Sequence, residues 1–323
     1  SMVLLEGAFS AKYGDRTSSF LDIVTREGSR DRKHARIAVS GSNAAFIAEG
    51  PMDNTRRGSW ILSARKSYVD YLVNRLGPET GVNLGFGDSQ GKITSDLTDH
   101  QKFGASFIWG RTVLGRNPVN RGVTSLIDGQ NNVGVWNLSW SYLPSRKVWW
   151  ENRLYLIRET YSNDNKDREV LARGEYTELA FRSDLSIQAS RQHRIEFGTL
   201  LRFIEDKVLD RRYDYGRGQF VDYDSVHERY RHSAFYAQDR WALLGSTLVA
   251  IFGVRVDKTG LTGQSVVNPR TSLEWRLGKA GKVDAGWGIF SQFPEVLPVM
   301  GRNGDSRLRA EVARHYVLGY EHT

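Results

Sequence analysis

Arginine interleaved with aromatic residues is the first chemically suggestive pattern in this 323-residue chain. Between 207 and 228 the sequence reads KVLDRRYDYGRGQFVDYDSVHE, with Arg211, Arg212 and Arg217 among Tyr213, Tyr215, Phe220 and Tyr223. Guanidinium groups and aromatic rings carry much of the binding energy at recognition surfaces. These seven residues are the candidate ligand contacts. A second set, Arg182, Arg194, Arg202, Arg255 and Arg276, falls on the polar positions of alternating stretches, with Glu196 and Glu274 among them. Cations facing an aqueous interior suit an anionic ligand.

Other chemistries find little support. There is no cysteine, so thiol nucleophiles, disulfides and cysteine metal sites are excluded. The seven histidines are scattered without paired ligand spacing. Asn163-Asp164-Asn165-Lys166-Asp167 offers oxygen donors in calcium-loop order but lacks the glycine and the distal glutamate. Gly85-Phe86-Gly87 is a strand-like GxG rather than a phosphate loop. No strand-turn-helix context surrounds Ser63, Ser67 or any other serine. No catalytic residue, metal site or cofactor is expected, and the chain is not expected to be an enzyme. The net charge is +8, but the basic residues are dispersed with no run of five, so no nucleic-acid partner is expected.

The elements that must position these residues are strands. Period-two alternation places successive side chains on opposite faces. Trp136, Leu138, Trp140 and Tyr142 oppose Asn137, Ser139 and Ser141. Ile195, Phe197, Thr199, Leu201 and Phe203 oppose Arg194, Glu196 and Arg202. Thr271, Leu273, Trp275 and Leu277 oppose Arg270, Ser272, Glu274 and Arg276. Such stretches run roughly 11 to 17 residues, the length of tilted strands that cross a bilayer and project beyond it. The longest apolar run, around Leu248 to Phe252, is far short of the ~20 residues of a membrane helix.

Fourteen strands are predicted: 35–40, 43–51, 58–71, 85–97, 101–114, 131–143, 147–161, 172–189, 193–206, 229–243, 247–258, 268–278, 282–292 and 313–322. No helix of any length is predicted. Short links (98–101, 144–147, 190–193, 244–247, 278–282) alternate with long ones (72–84, 115–130, 162–170, 207–228, 259–267, 293–312). That asymmetry belongs to outer-membrane barrels, whose short turns are periplasmic and whose long loops face outward. Trp149, Trp150, Trp241, Tyr316 and Tyr320 sit near strand ends, where a membrane barrel carries an aromatic girdle. The fold class is therefore an all-β, antiparallel, up-and-down transmembrane β-barrel.

Residues 13–28, YGDRTSSFLDIVTREG, resemble the end of the plug domain in TonB-dependent outer-membrane receptors, through Tyr13, Gly14, Arg16, Ser18, Ile23 and Thr25. Ala48-Glu49-Gly50-Pro51, Ser59-Trp60 and Ser63 to Tyr68 are similar to that family's second and third barrel strands. Gln238-Asp239-Arg240-Trp241 followed by Gly253-Val254-Arg255-Val256-Asp257 resembles a mid-barrel hairpin. Asn268-Pro269-Arg270 and His315 to Glu321 resemble later strands. The resemblance implies a plug remnant at 1–32 and a barrel portion at 33–323. It also implies a natural protein with a leader, a TonB box and most of a plug upstream, and a barrel of more than fourteen strands. Arg16, Asp22 and Glu27 would pair with wall charges such as Arg65 or Glu151.

The function implied is that of part of a TonB-dependent receptor in the bacterial outer membrane. It would import a scarce nutrient: a siderophore, a vitamin or an oligosaccharide. Its partners would be outer-membrane lipid, an unidentified small-molecule ligand bound by the outer loops, and the TonB complex through the N-terminal region absent from this chain. The alternatives are a passive pore or adhesin barrel without TonB coupling, and a soluble β-rich carbohydrate-binding or hydrolytic protein.

Overall fold

The computed structural model describes every residue except 1, 8, 70, 72–74, 76–80, 279, 280 and 323. Two short strands come first: β1 (Met2–Glu6) and β2 (Ser19–Ile23) pair antiparallel as a sheet of their own. The remaining strands are β3 (His34–Val39), β4 (Asn43–Pro51), β5 (Gly58–Ser67), β6 (Val82–Asp96), β7 (Gln101–Arg116), β8 (Asp128–Ser145) and β9 (Val148–Asp164). They continue with β10 (Val170–Gln188), β11 (His193–Asp214), β12 (Gln219–Leu243), β13 (Leu248–Thr259), β14 (Ser265–Arg276), β15 (Lys282–Gln292) and β16 (Glu311–Glu321). Among the described residues these form one sheet of 14 strands in strict sequence order, each hydrogen-bonded to the next. This is the antiparallel up-and-down barrel topology, with the outer edges of β3 and β16 unpaired among the described residues.

Register converts the alternation into two faces. Leu179 lies opposite Phe203, and Phe181 opposite Leu201, so apolar rows run across strands on one side. Leu201 is 41 % exposed and Phe203 46 %, although both lie mid-strand. The other face carries the charges and contacts residues 9–15. Burial in a shared apolar core does not hold this sheet; backbone ladders and inner-face polar contacts do. Among the described residues one buried apolar cluster, Val226, Leu261, Val296 and Val299, lies near the long connections, with Val208 and Tyr230 packed on it.

Three differences from the sequence reading have simple causes. Strands β11 and β12 pair to Asp214 and Gln219, so 207–228 is mostly a paired hairpin, not a loop; only 215–218 turns. The links at 162–170 and 259–267 likewise shrink to 165–169 and 260–264, because pairing continues into polar sequence. Connection 72–84 falls largely outside the described residues. A five-residue helix, α1 (Val296–Met300), forms where none was expected, because Val296 and Val299 bury one face on Val226 and Leu261. Last, Trp149 and Trp150 are neighbours in one strand and must face opposite ways. Lys12 lies 5.9 Å over the Trp149 ring on the inner side. Trp150 packs edge-on to Trp140 at 5.5 Å on the outer side, so only Trp150 joins the girdle.

Candidate functional site

The inner face grips the N-terminal segment through arginines on three strands. From β14, Arg270 Nη1 donates to the carbonyls of Phe9 (3.2 Å), Ser10 (2.7 Å) and Tyr13 (2.7 Å). From β13, Arg255 Nη1 donates to those of Ala11 (3.3 Å) and Lys12 (3.2 Å). Arg182 of β10 reaches the Lys12 carbonyl as well, at 3.4 Å. Five consecutive carbonyls, 9 to 13, thus accept from guanidinium groups of the wall. The fixed fork of arginine suits such convergent acceptors better than a lysine point charge would. Gln238 of β12 completes the grip, its Oε1 accepting from Ser10 Oγ (2.7 Å) and Ala11 N (3.2 Å).

Each cation needs compensation once water is removed. Arg255 is 3 % exposed and is forked onto Asp257, which is fully buried, with contacts of 2.8 Å. Arg182 pairs with Asp184 at 2.7 Å, and Asp184 also accepts from Tyr236 Oη at 2.6 Å. Arg202 of β11 binds both oxygens of Glu178 (2.9 and 2.7 Å) and reaches Asp15 at 3.1 Å. Arg270 differs: it is held by carbonyls and lies beside the packed pair of rings Phe9 (4.9 Å) and Phe290 (4.3 Å), which are themselves 4.5 Å apart, a cation–π contact with both.

The turn at 13–16 is shaped for this place. A Cβ on Gly14 would lie 2.0 Å from Arg255 Nε, so only glycine lets the backbone come this close. Asp15 holds φ of 57°, and its carboxylate bridges Arg202 and the Phe293 N–H (2.9 Å), tying the turn to the connection that carries α1. Tyr13 Oη donates to Asp22 at 3.0 Å. Burial, followed by the Asp22 charge, pushes the Tyr13 hydroxyl up to about 12, so it stays protonated. Arg16 bonds only the Asp15 carbonyl (2.6 Å), while Ser18 and Ile23 are exposed. The Thr25 carbonyl accepts from Lys92 Nζ at 2.9 Å.

The expected charge partners change. Arg65 pairs with Asp88 at 2.7 Å, Glu151 with Arg153 at 2.8 Å, and Glu27 with Lys102 and Arg30. Sequence alternation placed Arg182, Arg202 and Arg255 on the right face, and they converge on residues 9–15. Arg194 and Arg276 share that face but sit beside short turns, bonding Gln188 (3.2 Å) and Glu274 (3.0 Å). Arg270, Gln238, Asp15 and Asp257 were not singled out. The signal was present, since Arg270, Gln238 and Asp257 lie on the polar face inside motif-bearing stretches.

The aromatic–arginine set clusters at the tip of the β11–β12 hairpin. Arg212 lies 3.3 Å over the Tyr223 ring, with Arg302 on the same ring at 5.3 Å. Asn303 donates to Tyr223 Oη at 2.7 Å. Tyr213 packs edge-on to Tyr215 (5.1 Å) and Phe220 (5.2 Å). Arg211 and Arg217 are paired with nearby carboxylates, at 3.0 Å to Glu169 and 3.6 Å to Asp214. Between this end and the 12–16 turn lies a cavity of about 850 Å³, lined among others by Arg16, Tyr155, Tyr161, Tyr176, Arg202 and Tyr230. Phenol, guanidinium and carboxylate groups face it together, an arrangement able to bind a polar ligand. Among the described residues no group of acids and histidines could hold a metal ion.

Comparison with known proteins bears on what this arrangement serves. Residues 59–323 match the family described as TonB dependent receptor-like, beta-barrel. No curated protein sequence matches the chain. Among solved structures, the ferric enterobactin receptor PfeA of Pseudomonas aeruginosa superposes with a TM-score of 0.76 at 14 % identity, covering 100 % of this chain and 55 % of that one. The siderophore receptor PirA of the same organism gives 0.72 at 15 %, covering 100 % and 59 %. The FrpB iron transporter of Neisseria meningitidis gives 0.73 at 14 %, covering 100 % and 57 %. The chain thus spans little more than half the length of these proteins.

Proposed function

Because the chain belongs to the TonB-dependent receptor-like β-barrel family, we propose that it is the plug end and part of the barrel of an outer-membrane receptor that imports a scarce nutrient. In this reading residues 1–32 are the closing segment of the plug and 33–323 belong to the barrel. The observation that carries it is the clasp. A wall that directs two buried arginines, Arg255 and Arg270, and the partly buried Arg182 at the carbonyls of residues 9–13 is built to hold a segment inside the barrel. A passive pore needs no such anchor.

The ligand class we favour is an anionic metal chelate of the siderophore type. PfeA and PirA are described as receptors for such compounds and FrpB as an iron transporter. Arg212 and Arg302 at the hairpin tip suit an anion, while Lys12 and Arg16 line a cavity whose cations are balanced by carboxylates. A vitamin or oligosaccharide is the next class. The outer loops bind the ligand, and the TonB complex pulls on the plug through the region preceding this chain. The role is transport and reception, not catalysis.

The test uses the full-length gene expressed in a bacterium stripped of its own receptors. Uptake of radioactive iron is followed with a panel of ferric siderophores, beside labelled cobalamin and oligosaccharides, in cells with and without TonB. Energised uptake of one ferric chelate that vanishes without TonB is the expected result. Uptake that persists without TonB would establish the pore reading instead.

A further inference from the structure

The cavity between the 12–16 turn and the wall of β9–β12 has two chemically different ends. Near the turn, carboxylates and cations are matched. Arg202 takes Asp15 (3.1 Å) and Glu178 (2.7 Å), and Arg182 takes Asp184 (2.7 Å). The end nearer the long connections is different. There one inward row across three strands reads Glu159, Tyr176 and Asp206. Glu159 accepts from Asn131 Nδ2 at 3.0 Å. Glu159, Asp206 and Glu295, which all line the cavity, form no ion pair with a described residue. The charge that acts on Asp206 is that of another carboxylate, Glu295, in the connection carrying α1. Lys207 also borders the space, but Glu175 (3.6 Å) and Glu205 (3.1 Å) engage it.

Tyrosine rings wall in the same end. Tyr161 lies close over Gly174, where a Cβ would come within 2.2 Å of its ring, so glycine lets the ring rest against the sheet. The charges of Asp206 and Glu159 both reach Tyr161. Tyr176 and Tyr230 line the space as well. A group of about 850 Å³ or less can enter. An anion at this end would add charge of the sign already in excess. A protonated amine would find counter-charge, acceptors for its N–H groups and the faces of phenol rings.

We propose that the outer end of this cavity binds a protonated amine of the imported ligand, with Asp206, Glu159 and Glu295 as its counter-charge and Tyr161 as its ring face. This rests on the transport reading above and narrows its ligand class to a metal chelate that carries an ammonium group. The chelate's anionic groups do not enter this end. Asp206 and Glu159, fixed by pairing on either side of Tyr176, set the specificity. A ligand without the amine leaves these carboxylates desolvated and unpaired, which is the penalty that discriminates.

The test uses the full-length protein in detergent and two matched probes: a ferric tris-catecholate bearing one primary amine, and the same compound with that amine acetylated. Quenching of tryptophan fluorescence reads affinity. The amine form should bind roughly tenfold more tightly. The D206N/E159Q variant should erase that difference by weakening the amine form alone, and heat-modifiable gel mobility checks that the variant folds. A second arm needs no chelate. Ile157 lines the cavity one row nearer the turn than Glu159. A cysteine placed there should prefer a trimethylammonium thiosulfonate over its sulfonate counterpart by roughly tenfold more than a free thiol does. Equal binding of the two chelates, a difference that survives in the folded variant, or no preference for the cationic reagent would overturn the proposal. If neither chelate binds while the cationic reagent is still preferred, the chelate reading fails and the cation site stands.

Discussion

At the scale of single residues, removing Arg255 should hurt more than its hydrogen bonds suggest. Its loss leaves Asp257 buried and uncompensated, which costs about 3–5 kcal/mol when one partner of a buried pair is deleted. His232 lies 3.3 Å from Asp257, which places R255A near the lower figure. The double variant R255A/D257A should recover part of the loss, as read from unfolding midpoints in detergent. Gly14→Val is expected to free the 9–15 segment for a different reason. Its Cβ would collide with the Arg255 guanidinium, and overpacking of this kind costs about 1–3 kcal/mol.

Glu27 supplies a pH dependence. Burial raises its pKa, but hydrogen bonds and charge from Lys102 and Arg30 outweigh that and hold the carboxyl below its usual range. A depressed folded pKa stabilises above the unfolded value of about 4.3 and loses its contribution as pH falls through the folded one. The 24–33 segment should therefore loosen from the wall below about pH 4. A nitroxide at Asp31→Cys should gain mobility there, and Glu27→Gln should flatten the curve. What the sequence left illegible here is height. Alternation assigns Arg182, Arg194, Arg202, Arg255, Arg270 and Arg276 to one face without saying which meet the segment. That depends on the register of strands far apart in the chain.

Strands and hairpins were the most legible scale. The alternation located all fourteen strands of the sheet, most of them within a few residues and β11 and β12 short by 8 and 10 at their shared end, because an apolar outward face and a charged inward face leave only one workable register. Ends were less legible. The β11–β12 ladder continues through Lys207–Asp214 and Gln219–Glu228, where polar sequence reads as loop but backbone pairing goes on, with one register shift at Asp210/Arg211. The two faces predict opposite responses to charge. Leu201→Lys, on the outward face, should destabilise by about 2–4 kcal/mol if that position lies at the bilayer centre. The same change at neighbouring Leu200, whose side chain lines the cavity, should cost much less. Folding titrations of the full-length protein from urea into lipid vesicles read both. Equal costs would mean the two faces meet similar surroundings.

For the molecule as a whole, the open sheet sets the requirement. Among the described residues no strand pairs with the outer edge of β3 or of β16, and an open strand edge is tolerable in water but not in hydrocarbon. Coverage of 55 % of the PfeA chain accords with further strands between these edges in a longer protein. The 323-residue chain alone should therefore need detergent and self-associate through its edges. Supplying the remaining strands as a second polypeptide should convert it to a discrete species in size-exclusion chromatography. The sequence announced the barrel through strand length and alternation, whereas three of the six expected long links are turns of four or five residues. It did not announce that α1 folds against the β11–β12 hairpin, since that contact joins Val226 to Val296 and Val299 across 70 residues of chain.

The central claim is that one face of these strands touches lipid and the other an interior that holds the N-terminal segment. The chain has no cysteine, so single cysteines can be placed without background. Nitroxide labels at positions 197 through 204 of β11, in bilayers, should show oxygen accessibility at Phe197, Leu201 and Phe203 and protection from it at Leu200, Arg202 and Ile204, with a period of two. Uniform accessibility to a water-soluble nickel reagent on both faces, or apolar positions shielded from lipid and water alike, would contradict the account.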